Sequence, residues 1–147
     1  MAPDSTPLQS PYGTFDLARY PSRPGEPLLA WCAADTLLLE EVYQRSTSGS
    51  AILVVNDAHG ALCVALQPQA LWTDSALAAL ALRYNERVNT RIGTPIVWST
   101  QTPGTTPDLV IMRIPKQQPF FEHQLSQLAA WLPVGATLLA AGMDKHL

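Results

Sequence analysis

The sequence predicts an α/β fold, a mostly parallel sheet with helices on both faces. Three observations carry this. Apolar runs such as Ala51-Ile52-Leu53-Val54-Val55 and Leu109-Val110-Ile111-Met112 are continuous rather than alternating, as strands buried on both faces are. Segments of helical period lie between such runs. Strand and helix alternate along the chain, and strand–helix–strand units build parallel sheets. A length of 147 residues suits one full core, and 47% apolar against 14% charged residues excludes a chain disordered throughout.

The elements follow in order. Six of the 13 prolines (Pro3, Pro7, Pro11, Pro21, Pro24 and Pro27) fall in the first 27 residues. Residues 1–27 therefore read as a Pro-rich arm, mobile over 1–11. Its alternating stretch from Thr14 to Tyr20 predicts one short strand. Residues 28–147 read as the domain proper. Pro27 and the spacing of Trp31, Ala34, Leu38 and Val42 predict a helix from Leu28 to Arg45. Ser46 to Ser50 is a polar turn. A strand over 51–55 is followed by a short helix from Gly60 to Leu66. Ala70 to Thr73 is the next strand, and Asp74 or Ser75 can cap the helix that runs to Asn89. On that helix Leu77, Leu80, Ala81, Tyr84 and Val88 share one face, the expected core face. Pro95 to Trp98 and Asp108 to Ile114 are strands. Pro119 opens a helix with Phe121, Leu125, Leu128 and Leu132 on one side, and Ala136 to Ala141 is the fifth core strand.

A net charge of −3 excludes bulk-charge coating of nucleic acid. The charge is uneven: residues 1–73 hold three basic and seven acidic side chains, whereas 74–147 hold six and five, so an anion-binding face is expected in the second half. No apolar run approaches the ~20 residues of a membrane span. The Pro-rich start has no signal-peptide core, so the expected compartment is the cytoplasm. Cys32 and Cys63 read as reduced, buried thiols, and His59, His123 and His146 as isolated, satisfied histidines rather than metal ligands. Phosphate-loop, dinucleotide and nucleophile-elbow motifs are absent. Parallel sheets bind ligands beyond the carboxyl ends of their strands. The segments to weigh are thus 56–61, Asp74-Ser75, Ser99 to Gln101 and Arg113 to Lys116.

Leu29-Ala30-Trp31-Cys32-Ala33-Ala34-Asp35, Asn56-Asp57-Ala58-His59-Gly60-Ala61-Leu62, Thr73-Asp74-Ser75 and Arg113-Ile114-Pro115-Lys116 together resemble a known family. The layout is similar to the Rossmann-like fold of S-adenosylmethionine-dependent methyltransferases. More narrowly, residues 12–144 resemble the N-terminal half of bacterial ribosomal RNA guanine-N2 methyltransferases, closest to the large-subunit (23S) enzyme. The resemblance implies a two-domain parent whose C-terminal half is catalytic and uses S-adenosylmethionine, with this half a degenerate copy that helps hold the RNA. It also implies that the chain stops before the family's closing hairpin.

The residues bear on that degeneracy. An active copy has a Gly-rich turn after the first core strand; the matching positions here are Ala58, Gly60 and Leu62. A Cβ where backbone must turn left-handed costs ~1–2 kcal/mol per site. The resemblance leaves Asn56, Ala58, Gly60 and Asp74 as at most vestigial cofactor contacts, with Asp74 read first as a helix cap and second as a ribose ligand. It implies no cofactor bound by this domain and no catalytic residue. Guanine-N2 transfer needs acceptors for the exocyclic amine, but the loop after the fourth core strand offers Arg113 and Lys116, whose side chains only donate. A cation ~6 Å from the sulfonium would cost roughly 2–3 kcal/mol. Arg83, Arg87, Arg91, Arg113 and Lys116 are the expected RNA contacts, through phosphates. Two other readings stay open: a domain that binds S-adenosylmethionine and acts itself, and a purely structural or dimerising domain.

Overall fold

The computed structural model describes residues 7–21, 28–45, 50–104 and 106–143. Its elements are β1 (Leu8–Ser10), β2 (Gly13–Phe15), α1 (Ala33–Gln44), β3 (Ile52–Val55), α2 (Ala61–Leu66), β4 (Ala70–Thr73), α3 (Ala76–Val88), β5 (Ile96–Trp98), β6 (Leu109–Arg113), α4 (Gln118–Trp131) and β7 (Thr137–Ala141). The main sheet has five strands in the order β5-β4-β3-β6-β7, and every neighbouring pair is parallel. The order reverses between β3 and β6. Successive strand residues face opposite sides. Val54 and Ile111 join the core under α1, α2 and α3, whereas Leu53, Val55, Val110 and Met112 join the core under α4.

The arm differs from its sequence reading. Residues 8–10, expected to be mobile, form β1, which pairs antiparallel with β2. Leu8, Phe15 and Leu17 are buried in the same core as α1 and α2. Residues 16–21 form no strand. Instead Asn89 Oδ1 accepts from Asp16 N (3.0 Å), and its Nδ2 donates to Asp16 O (2.8 Å). Asn85 treats Ala18 the same way, at 3.0 and 2.9 Å. Two side-chain amides thus replace a ladder and hold the arm against α3.

α1 begins at Ala33, five residues later than expected. Pro27 and the turn over 46–49 lie outside the described residues. The start is set by Asp35, whose Oδ2 accepts from Cys32 N at 2.9 Å. α3 is turned about its axis by roughly 100° from the expected face. Its buried residues are Ala78, Ala81, Leu82, Asn85 and Glu86, whereas Leu77, Leu80 and Val88 are about half exposed. The polar pair can be buried because each finds partners. Asn85 holds the arm and His59 O; Glu86 accepts from Thr94 N (2.6 Å) and Arg83 (2.9 Å).

Gly60 precedes α2 with φ of 93°, and a Cβ there would lie 3.1 Å from Leu82 Cα. The glycine serves helix packing as well as the turn. Asp57 is buried, and its Oδ2 accepts from Cys63 N at 2.9 Å in the first turn of α2. Burial, and then the charge of Asp35, push its carboxyl up to about 6 against the pull of these amides.

Two outcomes follow. Leu82→Ala is expected to cost about 2–5 kcal/mol in urea denaturation, and Leu80→Ala under about 1 kcal/mol; equal costs would contradict the orientation of α3. A carboxyl raised on folding favours the folded state below its unfolded value and loses that contribution as pH rises through about 6. Asp57→Asn should therefore reduce the stability lost between about pH 4 and pH 7 by on the order of 2–3 kcal/mol. An unchanged pH profile would contradict the burial of this charge.

Candidate functional site

The reversal between β3 and β6 opens a crevice at the carboxyl end of the sheet. It holds a cleft of about 330 Å³. The β3–α2 loop contributes Asn56, Asp57, Ala58 and His59. The β4–α3 turn contributes Thr73, Asp74 and Ser75, and α3 adds Leu77, Ala78 and Ala81. Pro115 follows β6, Phe120 comes from α4, and Tyr20 comes from the arm. Ser99, Thr100 and Gln101 do not line it. They turn back on β5, where Gln101 N donates to Trp98 O and Gln101 O accepts from Trp72 Nε1.

Most polar groups in the crevice bond to one another. Asn56 takes a left-handed conformation, φ 63°. Its N–H continues the ladder to Trp72 O at 3.1 Å. Its Nδ2 donates to Arg113 O (3.0 Å) and Gln124 Oε1 (2.8 Å), while its Oδ1 accepts from Gln124 Nε2 (3.0 Å). Gln124 is fully buried. One residue therefore links β4, β6 and α4 across the switch point. Asp57 is engaged by α2, and Thr73 Oγ1 accepts from Ser75 N at 3.1 Å.

Two side chains depart from their sequence readings. Asp74 does not cap α3: Ser75 Oγ accepts from Ala78 N at 3.1 Å and does so instead. Asp74 is exposed on the cleft and has no hydrogen bond among the described residues. His59 is not satisfied, because its Nδ1 is buried without a partner. Burial, followed by the nearby Arg19, lowers its pKa, with Asp35 opposing and Arg113 adding, so it stays neutral at neutral pH. His123 is exposed on α4, and His146 lies outside the described residues. Ala58 presents its methyl to the cleft, and Gly60 is buried behind it against Leu82.

The five expected RNA cations separate into two groups. Arg113 is turned from the cleft, and its Nη1 donates to Asp35 Oδ1 at 2.7 Å with both side chains largely buried. Burial works against its charge, but Asp35, helped by Cys32 and Asp57, more than restores it. Its charge is paired with Asp35 rather than presented in the cleft. Arg91 Nε donates to Val64 O at 2.9 Å, and its guanidinium lies 4.9 Å from the Phe15 ring centre. Arg83 pairs with Glu86. Arg87 and Lys116 are exposed and have no ion pair among the described residues. Truncating Arg113 would leave Asp35 buried and unpaired, so that substitution reports on folding rather than on RNA.

What remains is a cleft walled by Tyr20, Phe120, Leu77 and Pro115, with the Asp74 carboxylate, the Tyr20 hydroxyl and the His59 imidazole as its uncommitted polar groups among the described residues. Sequence reasoning missed Tyr20, Phe120 and Gln124. Tyr20 arrives through the Asn85 and Asn89 clasps, and its ring lies 5.9 Å from that of Tyr84. The helical spacing of Asn85 and Asn89 was the available signal. Among the described residues, no group of three or more His, Cys, Asp or Glu side chains could hold a metal.

Comparison with known proteins agrees with this architecture. The crystal structure of coclaurine N-methyltransferase, bound to N-methylheliamine and SAH, superposes with a TM-score of 0.53 over 71% of this chain and 34% of its own, at 14% identity. The chain thus has the Rossmann-like fold of a methyltransferase. Ribosomal RNA large subunit methyltransferase G of Pseudomonas paraeruginosa is 42% identical over 144 residues, 94% of this chain. That of Alcanivorax borkumensis is 38% identical over 157 residues, 97% of this chain. The chain spans only 38% and 40% of the lengths of these relatives. The model of the RLMG N-terminal domain matches residues 5–147, and the chain belongs to that family.

Proposed function

We propose that this chain is the accessory N-terminal domain of a 23S ribosomal RNA guanine-N2 methyltransferase. It positions RNA and braces a C-terminal catalytic half that transfers methyl from S-adenosylmethionine. The relatives are named as large-subunit ribosomal RNA methyltransferases and extend well beyond the matched part. The reading also assigns the chain to the cytoplasm, where ribosomal RNA is. No helix among the described residues is long and apolar enough to cross a membrane.

One observation carries the accessory role. Guanine-N2 transfer needs lone pairs that hold the exocyclic amine beside the methyl donor. The segment after β6 presents Pro115 to the cleft and directs Arg113 to Asp35, and Asn56 is bonded to Gln124. The side chains of residues 113–116 therefore offer no acceptor pair. Among the described residues, Arg87 and Lys116 are the cations free to meet phosphates. Arg83, Arg91 and Arg113 serve the fold first. The half-exposed Leu80 and Val88 on α3 suit the bracing role, as exposed apolar side chains on a contact face would.

A second reading, an active domain, is favoured by one observation: Asp74 is uncapped and open to the cleft. Incubation of the chain with labelled S-adenosylmethionine and 23S ribosomal RNA separates the two. No incorporated label is expected, and transfer by this chain alone would overturn the accessory role. RNA binding is expected to weaken as salt rises. Arg87→Ala combined with Lys116→Ala should reduce the slope of log affinity against log salt by roughly 1.5, from about 0.7–0.9 per phosphate. Salt-insensitive binding, or an unchanged slope, would count against RNA positioning by these residues.

A further inference from the structure

We propose that the strand-end cleft is a docking pocket for one unpaired nucleotide of the RNA, its base and ribose inside and its phosphate outside. The inference rests on the RNA-positioning reading and names what that cleft would hold.

The cleft's chemistry selects the class of ligand. Its volume, about 330 Å³, admits a base with its sugar and excludes a duplex. Tyr20 and Phe120 supply ring surface, and Leu77 and Pro115 supply apolar wall, the surfaces on which bases stack. The polar side-chain groups without a hydrogen bond among the described residues are the Asp74 carboxylate, an acceptor, the Tyr20 hydroxyl, and His59, a neutral imidazole whose Nδ1 is buried without a partner. Among the described residues no cation lines the cleft, whereas the carboxylates of Asp57 and Asp74 do. A phosphate is therefore disfavoured inside, whereas the N–H and O–H donors of a base edge or a ribose are suited to Asp74. Lys116 follows Pro115 immediately and is exposed, which places a cation beside the mouth for the phosphate.

The same nucleoside chemistry could come from a free cofactor, so the test has two arms. A hairpin RNA with one bulged nucleotide is compared with a fully paired hairpin of equal length. S-adenosylhomocysteine is titrated separately. The chain is expected to prefer the bulged hairpin about tenfold. Asp74→Ala and, independently, Tyr20→Leu should abolish that preference and leave affinity for the paired hairpin unchanged. Asp74 is exposed and caps nothing, so its removal leaves the fold intact.

Equal affinity for the two hairpins, or a preference that survives Asp74→Ala, would overturn the proposal. If both hairpins bind with the expected salt dependence, the RNA role stands while the pocket assignment falls. Binding of S-adenosylhomocysteine that is lost in Asp74→Ala, with no preference between hairpins, would assign the cleft to a free cofactor and also overturn it. Absence of any RNA binding would remove both the pocket and the positioning role.

Discussion

The buried polar groups at the sheet's switch point must find partners inside the protein, and Asn56 is where that constraint is met. The backbone there leaves β3 in a left-handed conformation, which few side chains accept and asparagine tolerates. From that position its N–H still reaches β4, while its amide reaches β6 and α4. The Gln124 amide completes a reciprocal pair in the dry interior, where an unmatched amide would cost about 1–3 kcal/mol. The crevice keeps its shape because its floor is tied together in this way.

The same economy of partners defines what the crevice can do. Asp57 is held by the first turn of α2, Arg113 by Asp35, and Thr73 and Ser75 by each other and the start of α3. These groups are occupied by the fold. Asp74, His59 and the Tyr20 hydroxyl are the exceptions among the described residues, and all three residues line the cleft. The sheet thus carries a concave, partly aromatic site at its carboxyl end.

The parallel sheet was legible in the sequence because its strands are continuous apolar runs, and β3 to β7 lie within a residue or two of where those runs are. The orientation of α3 was not. Leucines at positions 77 and 80 with Val88 form the more hydrophobic stripe, yet the buried stripe contains Asn85 and Glu86. Their partners, Ala18, His59 and Thr94, are set by tertiary contact, and no local pattern reveals them. The arm was misread for the same reason, since its main-chain groups pair with side-chain amides 67 and 73 residues away. In the site, the segments after the strands could be placed from the topology alone. Which of their side chains would be free could not: the sequence cannot tell Ser75 from Asp74 as the cap, or foresee that Asp35 neutralises Arg113.

The floor of the switch-point crevice is tied together by hydrogen bonds within the protein, those between Asn56 and Gln124 above all. A double-mutant cycle on Asn56→Gly and Gln124→Ala tests it most directly, glycine being chosen because it accepts the left-handed backbone. The account predicts that the double variant loses less stability than the two single variants summed, by about 1–3 kcal/mol, because each single change strands the other amide. Additive losses would contradict it.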